Sequence, residues 1–399
     1  MKIAEPIGDT YSPWHALFSI GFRPFFLAAA ILSMASMSLW MLIYSFGLPM
    51  AFAEISAMQW HAHEMLYGYA MAVIAGFLLT AVRNWTDQPT VRGFPLMLLF
   101  MLWLIPRGLI LLEGVPLQIT ALFDIGFVFV LTICLAKPIV MAKQWKQMGL
   151  LSKIVLLGIG NSLFYLGALG VLEQGIHWGL YSGLYLVIAL VLTMSRRLVP
   201  FFIERGVGYE LQLNNFKLLD IASLILFLLF FVFDTFLANW SVAAVFAAIL
   251  FVLHTVRLIG WYTHGIWHKP LLWSLYGAYA FSVSGFAFYV LAAMGLLSPF
   301  LAIHAFAVGG IGLITFSMMA RVSLGHTGRN VHEPPKLLVM PLLLLSAAGL
   351  LRVFLPAVIP THYPTWVLLS QWCWILAFAV FVYLFLPVLV SERADKKAE

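Results

Sequence analysis

The sequence predicts an all-α polytopic membrane bundle of about twelve transmembrane helices, with both termini cytoplasmic. The first observation is composition: 63% of the 399 residues are hydrophobic and 10% are charged, whereas soluble domains have roughly 45–50% and about 25%. The second is the recurrence of apolar runs close to the roughly 20 residues that cross a bilayer. The third is the distribution of Lys and Arg, which collect on one side of that pattern.

Apolar runs separated by short polar segments define the predicted spans. In chain order their approximate bounds are 22–46, 62–82, 94–112, 116–137, 151–172, 176–198, 217–236, 239–261, 271–295, 299–322, 336–358 and 364–390. No soluble domain interrupts them, so residues 1–399 are predicted to form a single integral membrane domain, with an interfacial segment at 1–20 and a short cytoplasmic tail at 391–399. The N-terminal segment lacks a short apolar region with a cleavage site, so no cleaved signal peptide is expected.

Basic residues set the predicted orientation, because Lys and Arg are enriched in cytoplasmic loops. With both termini inside, 20 of the 22 basic residues fall on the cytoplasmic side, and Arg107 and Arg352 fall in the outer half. The net charge of +6 therefore reports topology, and no nucleic-acid partner is expected. Cys134 and Cys373 lie in apolar runs without metal-site spacing and are interpreted as buried free thiols.

Several histidines are predicted at one depth in the outer half of the membrane. The segment WHAHEML at 60–66 brings His61, His63 and Glu64 to the outer mouth of span 2. His304 lies about five residues below the outer end of span 10. Ionisable groups inside a membrane cost about 2.5–3.5 kcal/mol each and by default mark a functional site. Haem iron takes axial histidines and copper accepts imidazole, so the cluster indicates a haem or metal site; the alternative is that each histidine is a hydrogen-bonded packing residue.

Helical spacing assigns provisional roles within this cluster. His61 and Glu64 are three residues apart and share a helix face, while His63 points about 200° away from His61. Because His63 lies closest to the depth of His304, these two are the predicted axial ligands of a haem. His61, oriented by Glu64, is predicted to bind copper or a haem propionate.

Two charged residues of neighbouring spans lie at a similar depth. Arg107 is near the outer end of span 3, and Asp124 lies about eight residues below the outer end of span 4. They are predicted to face the protein interior as an ion pair, or Arg107 as a haem-propionate anchor. His177 opens span 6 on the same side.

A second polar group is predicted near the cytoplasmic face. Its members are Arg23 in GFRPFF, His254 in the inner third of span 8, and Arg321 and His326 in ARVSLGHTGR. Basic groups in such positions usually anchor the topology. The alternative is a cytoplasmic-side anion or second cofactor site.

The motifs at these positions resemble a known family. GFRPFFLAAA at 21–30, WHAHEMLYGYAMAVIAGFLLTAVRNWT at 60–86, PLLW at 270–273 and HAFAVGGIGLITFSMMARVSLGHTGR at 304–329 closely resemble the NnrS family, over nearly the whole chain. The resemblance implies a multi-pass protein of the bacterial inner membrane that contains haem and copper and protects against nitrosative stress. The functional positions it carries over are His61, His63, Glu64, Arg83, His304, Arg321 and His326.

Two positions depart from the family pattern. Asp87 stands in a loop where Gly is expected. Tyr276 stands near the place where relatives often have a histidine at the start of span 9, so no ligand role is carried over to that position.

The predicted function is that of a haem-binding and copper-binding membrane protein acting in nitric oxide metabolism, by redox chemistry at a histidine-ligated haem of the b type. Its partners would be nitric oxide or a related small molecule, the lipid bilayer and an electron donor that the sequence does not identify. The alternatives are a membrane transporter of a metal, haem or small anion, and a cofactor-free sensor or scaffold of the nitric oxide response.

Overall fold

The computed structural model describes residues 12–50, 52, 54–214 and 216–395. These residues form helices joined by short connections, with no β-strand among them. Eleven helices in this part of the chain are long and apolar enough to cross a membrane, so the predicted helical bundle is confirmed. The remaining apolar helix, Phe94–Leu109, has 16 residues. It is about 24 Å long, somewhat less than the roughly 30 Å of a hydrocarbon core.

We number these helices in chain order, after a short helix at Pro13–Leu17. They are α1 (Phe22–Phe46), α2 (Ala57–Thr86), α3 (Phe94–Leu109), α4 (Leu117–Met141), α5 (Trp145–Ala168), α6 (Gly175–Gly206), α7 (Lys217–Thr235), α8 (Trp240–Gly260), α9 (Pro270–Ala293), α10 (Pro299–His326), α11 (Lys336–Val358) and α12 (Pro360–Leu389). We call the side where α2, α6 and α10 begin the outer face, following the predicted orientation.

Helices α2 and α10 form the centre of the bundle. In each, 78% of the most apolar window is buried, against 28% in α7 and in α8. Helix α2 packs against α1, α4 and α6, and α10 packs against α9 and α11. The histidine-bearing helices are therefore the ones most enclosed by protein, whereas α7 and α8 expose more of their surface.

Helix α2 begins about a turn earlier than the sequence predicted, because a capping box closes its N-terminus. The Ser56 hydroxyl accepts a hydrogen bond from the Gln59 backbone N–H at 3.2 Å, and the Gln59 side chain accepts one from the Ser56 N–H at 2.7 Å. His61 therefore lies inside the helix. Helix α10 likewise continues to His326, past the predicted end at 322, so His326 is helical.

Glycine allows α5 and α6 to approach closely near the outer face. A Cβ on Gly167 would lie 2.2 Å from the Ile176 backbone nitrogen, and one on Gly179 would lie 2.5 Å from the Phe164 nitrogen. No larger residue fits either position without moving backbone. The contact holds the polar middle of α5 beside α2.

Three of the helices contain π-helical segments in their outer halves. These are Glu64–Ala70 in α2, Ala305–Gly312 in α10 and Leu350–Phe354 in α11. A π-helical segment changes the rotation of every residue that follows it and occurs frequently at functional sites. Cys134 and Cys373 are both free, as the sequence predicted, but they are only partly buried.

Candidate functional site

A buried ion network joins α2, α3 and α4 in the outer half of the bundle. One guanidinium nitrogen of Arg107 donates to both carboxylate oxygens of Glu64, each at 3.0 Å. The other donates to Asp124. Glu64 is 2% exposed and Asp124 is 1% exposed, so water does not screen these charges. The predicted pairing of Arg107 with Asp124 is confirmed, and Glu64 is a third member.

Gly68 of α2 lies in contact with this network. Gly68 leaves room for it, because a Cβ at this position would lie 2.8 Å from Glu64 Oε2 and 3.0 Å from Arg107 Nη1. The indole N–H of Trp103, on α3, donates to the Gly68 carbonyl at 3.0 Å. Helices α2 and α3 are thus joined by both an ion pair and a hydrogen bond.

His63 belongs to the same network, and both of its ring nitrogens face oxygen atoms. Nε2 donates to the Asn161 side-chain oxygen at 2.9 Å, an orientation fixed because the Asn161 amide donates to Asp124 at 3.0 Å. Nδ1 lies 3.4 Å from Glu64 Oε1. The ring stacks on Phe164 with centroids 4.4 Å apart. Neither nitrogen is directed at open space.

Two members of the network were not identified from the sequence. They are Asn161 and Tyr165, whose hydroxyl donates to Asp124 at 3.1 Å. Both lie on α5, in a span otherwise rich in apolar residues. A polar amide in the middle of an apolar run was the available signal, because a buried amide requires hydrogen-bond partners.

The second cluster, which we call the outer cluster, consists of His61, His304 and Arg352. His304 lies within electrostatic range of the other two side chains, which come from α2 and α11. Arg352 also lies within electrostatic range of His61. His304 directly precedes the π-helical segment of α10, and Arg352 lies within that of α11. These two π-helical segments contact each other.

His304 has the hydrogen-bond arrangement of a ligand. Its Nδ1–H donates to the Phe300 carbonyl at 2.6 Å, which leaves the Nε2 lone pair available. Metal-bound histidines commonly use one ring nitrogen in this way to fix the orientation of the other.

His61 and Arg352 present nitrogen atoms without partners. The His61 ring stacks on Trp40, with centroids 4.6 Å apart and an interplanar angle of 6°. Its Nδ1 is buried and makes no hydrogen bond with any described residue, and the same is true of Arg352 Nη1. The Arg352 guanidinium lies over the Tyr363 ring at 5.4 Å. Buried polar atoms normally have partners, so these two nitrogens are available to a bound group.

The histidines are grouped differently in the structure from the grouping that the sequence predicted. His63 was expected to pair with His304, but both His63 nitrogens are engaged in the ion network, and His304 is grouped with His61. Glu64 was expected to orient His61, but it contacts Arg107 and His63. The reason is that Arg107 lies 3.0 Å from both Glu64 oxygens, and a buried carboxylate needs a cation as its partner.

The members of the predicted cytoplasmic group make different contacts. Arg23 donates to the Leu389 and Ser391 carbonyls at 2.9 and 2.6 Å and so caps the end of α12. The Arg321 guanidinium lies 3.8 Å from the centre of the Phe202 ring. The His326 ring lies 5.9 Å from the Phe22 ring. His254 hydrogen-bonds to the Tyr279 hydroxyl at 2.5 Å. Tyr276, which stands where relatives often have a histidine, donates to the Leu258 carbonyl.

In the part of the chain that is described, no group of three or more His, Cys, Asp or Glu side chains could hold a metal ion. The predicted copper pair, His61 with Glu64, is not brought together, because Glu64 bonds to Arg107. The outer cluster, by contrast, contains two imidazoles and an arginine, which are the types of side chain that haem iron and haem propionates accept.

The family model described as NnrS protein matches residues 16–393, nearly the whole chain. No curated protein matches the chain.

Proposed function

The chain belongs to the NnrS family, and from that premise we propose that it holds a haem between His61 and His304 and reacts with nitric oxide there. Family membership supports a role in the nitric oxide response. The eleven membrane-capable helices indicate a multi-pass membrane protein. We further propose that it resides in the inner membrane of a bacterium and protects the cell against nitrosative stress.

The observation that carries the proposal is the outer cluster itself. Two imidazoles on the two central helices lie within electrostatic range of one arginine, and a nitrogen of that arginine is buried without a partner. A haem of the b type would be held by histidine nitrogen and would pair its propionates with a cation. His61 and His304 would supply the nitrogens, and Arg352 would supply the cation.

The surrounding residues would hold these side chains in position. The Phe300 carbonyl fixes the His304 ring, and the Trp40 ring restricts rotation of His61. The Arg107–Glu64 ion pair lies one turn from His61 and anchors α2 against α3 at this depth. When bound, the haem iron supplies a redox centre for nitric oxide, a small uncharged molecule that can arrive through the lipid. We assign no copper ligands, because Glu64 is held in the ion network and His61 is assigned to the haem.

The test is the haem content of the purified protein and three variants. We expect about one haem per chain in the wild type and a loss or a spectral shift in His61→Ala and in His304→Ala. The matched control is His362→Ala, because His362 is an exposed histidine in the first turn of α12. This variant should retain full haem content. The reduced-minus-oxidised absorption spectrum and metal analysis provide the readout.

Other outcomes of the same measurement would refute the proposal. A folded, colourless protein would exclude haem and favour a sensor or scaffold. A small amount of exchangeable metal without haem would favour a transporter. Full haem content in both variants would move the haem away from the outer cluster.

A further inference from the structure

A crevice opens at the outer face between α6, α7, α8, α9 and α10, apart from the residues assigned to haem. Its lining includes His177, Tyr181, Asp234, Trp240 and Tyr289. Its internal volume is about 30 Å³, enough for about two guests the size of a water molecule. The crevice therefore suits a small ligand and not a bulky one.

Asp234 supplies the negative charge of this crevice. The Tyr185 hydroxyl donates to one of its carboxylate oxygens at 2.7 Å, and the Tyr289 hydroxyl donates to the other. Two phenol donors on two oxygens suit an ionised carboxylate. No Lys or Arg of the described residues lies within salt-bridge distance of Asp234.

The position of Asp234 adds to this negative potential. The side chain is 5% exposed and lies next to the last residue of α7. A helix C-terminus carries a partial negative charge, so a carboxylate there is unfavourable unless a cation is nearby. Burial increases the cost further, because an ionised carboxylate loses its hydration.

Aromatic rings complete the lining. The His177 and Tyr181 rings lie 4.4 Å apart, and Trp240 is at the exposed lip. Below Asp234 the crevice is closed by apolar rings: Phe230 lies 5.0 Å from Tyr185 and 4.9 Å from Tyr289. Ring faces attract cations. The closed base indicates that a ligand enters and leaves by the outer face.

We propose that this crevice binds a small ammonium-type cation, either ammonium itself or a protonated amine of similar size. The N–H groups of such a cation match the acceptors present, which are the Asp234 carboxylate and the phenol oxygens of Tyr185 and Tyr289. Its charge balances the buried carboxylate, and the neighbouring rings contact its surface. The site does not depend on haem binding.

The test is thermal unfolding of the purified full-length protein in ammonium chloride, with N-methylglucamine chloride holding ionic strength constant. A ligand that binds only the folded state raises the unfolding temperature with concentration. We expect such a rise for the wild type. Asp234→Asn should weaken the apparent ammonium affinity by about tenfold or more, since it removes a charged acceptor. Trp240→Leu should weaken it about threefold.

Controls separate a specific site from a general salt effect. Glu173→Gln removes an exposed carboxylate before α6 and should leave the ammonium response unchanged. Equal responses to ammonium, sodium, potassium and N-methylglucamine would overturn the proposal, as would a response to the alkali ions alone. If Asp234→Asn does not fold, the wild type and Trp240→Leu still test the site. The proposal is refuted if ammonium raises the unfolding temperature of the wild type no more than the other cations do, or if Trp240→Leu binds ammonium with unchanged affinity.

Discussion

Removal of Arg107 should destabilise the protein more than removal of Arg107 and Asp124 together. The network contains one arginine and two buried carboxylates, Glu64 and Asp124. Arg107→Met leaves both carboxylates without their cation. Breaking a buried ion pair by removing one partner costs about 3–5 kcal/mol, so we expect a loss of that size in the free energy of unfolding.

The other variants should follow from the charge that remains. Asp124→Asn keeps the contacts between Arg107 and both Glu64 oxygens at 3.0 Å, so it should cost about 1–3 kcal/mol. The double variant Arg107→Met with Asp124→Asn leaves one carboxylate unpaired and should be less destabilised than Arg107→Met. Adding Glu64→Gln removes the last charge and should recover further stability.

Unfolding by SDS titration, followed by the loss of native tryptophan fluorescence, measures these differences. Lys146→Met is the control, since this exposed cation lies outside the network and surface changes usually stay within about 0.5 kcal/mol. Arg107→Met alone could yield no folded protein. Recovery of folded protein on adding Asp124→Asn and Glu64→Gln would then show that the unpaired carboxylates cause the loss. The reasoning is refuted if Arg107→Met is as stable as the double variant or more stable.

Three further predictions concern packing, capping and topology. A Cβ on Gly309 would lie 2.2 Å from Phe281 Cγ, so Gly309→Ala should cost about 1–3 kcal/mol of unfolding free energy in the SDS titration. The control is Gly126→Ala, which should not destabilise the protein, because a Cβ there meets nothing within 4 Å. Equal losses of stability in the two variants would contradict the packing. Arg23→Ala should cost about 1.5–3 kcal/mol and speed hydrogen exchange at the end of α12, and unchanged exchange there would contradict the capping role. A reporter fused after Glu399 should be active only in the cytoplasm, and periplasmic activity would refute the orientation.

Charge and hydropathy were enough to predict the helices and one ion pair. Arg107 and Asp124 were paired on depth alone, because a buried charge in a membrane requires a partner. The sequence did not show which residues surround His61. That outcome depends on how α1, α10 and α11 pack around α2 and bring Trp40, His304 and Arg352 to His61, which the spacing of residues along one helix does not predict. Asn161 was missed for a related reason, since its contacts depend on the rotation of α5 about its own axis.

Anaerobic addition of nitric oxide to the dithionite-reduced, purified protein tests the central claim most directly. If His61 and His304 hold a haem that reacts with nitric oxide, the absorption spectrum should shift in the wild type and in His362→Ala. The shift should be lost or altered in His304→Ala. A haem spectrum that nitric oxide leaves unchanged in the wild type, or a shift that is identical in His304→Ala, would contradict the account.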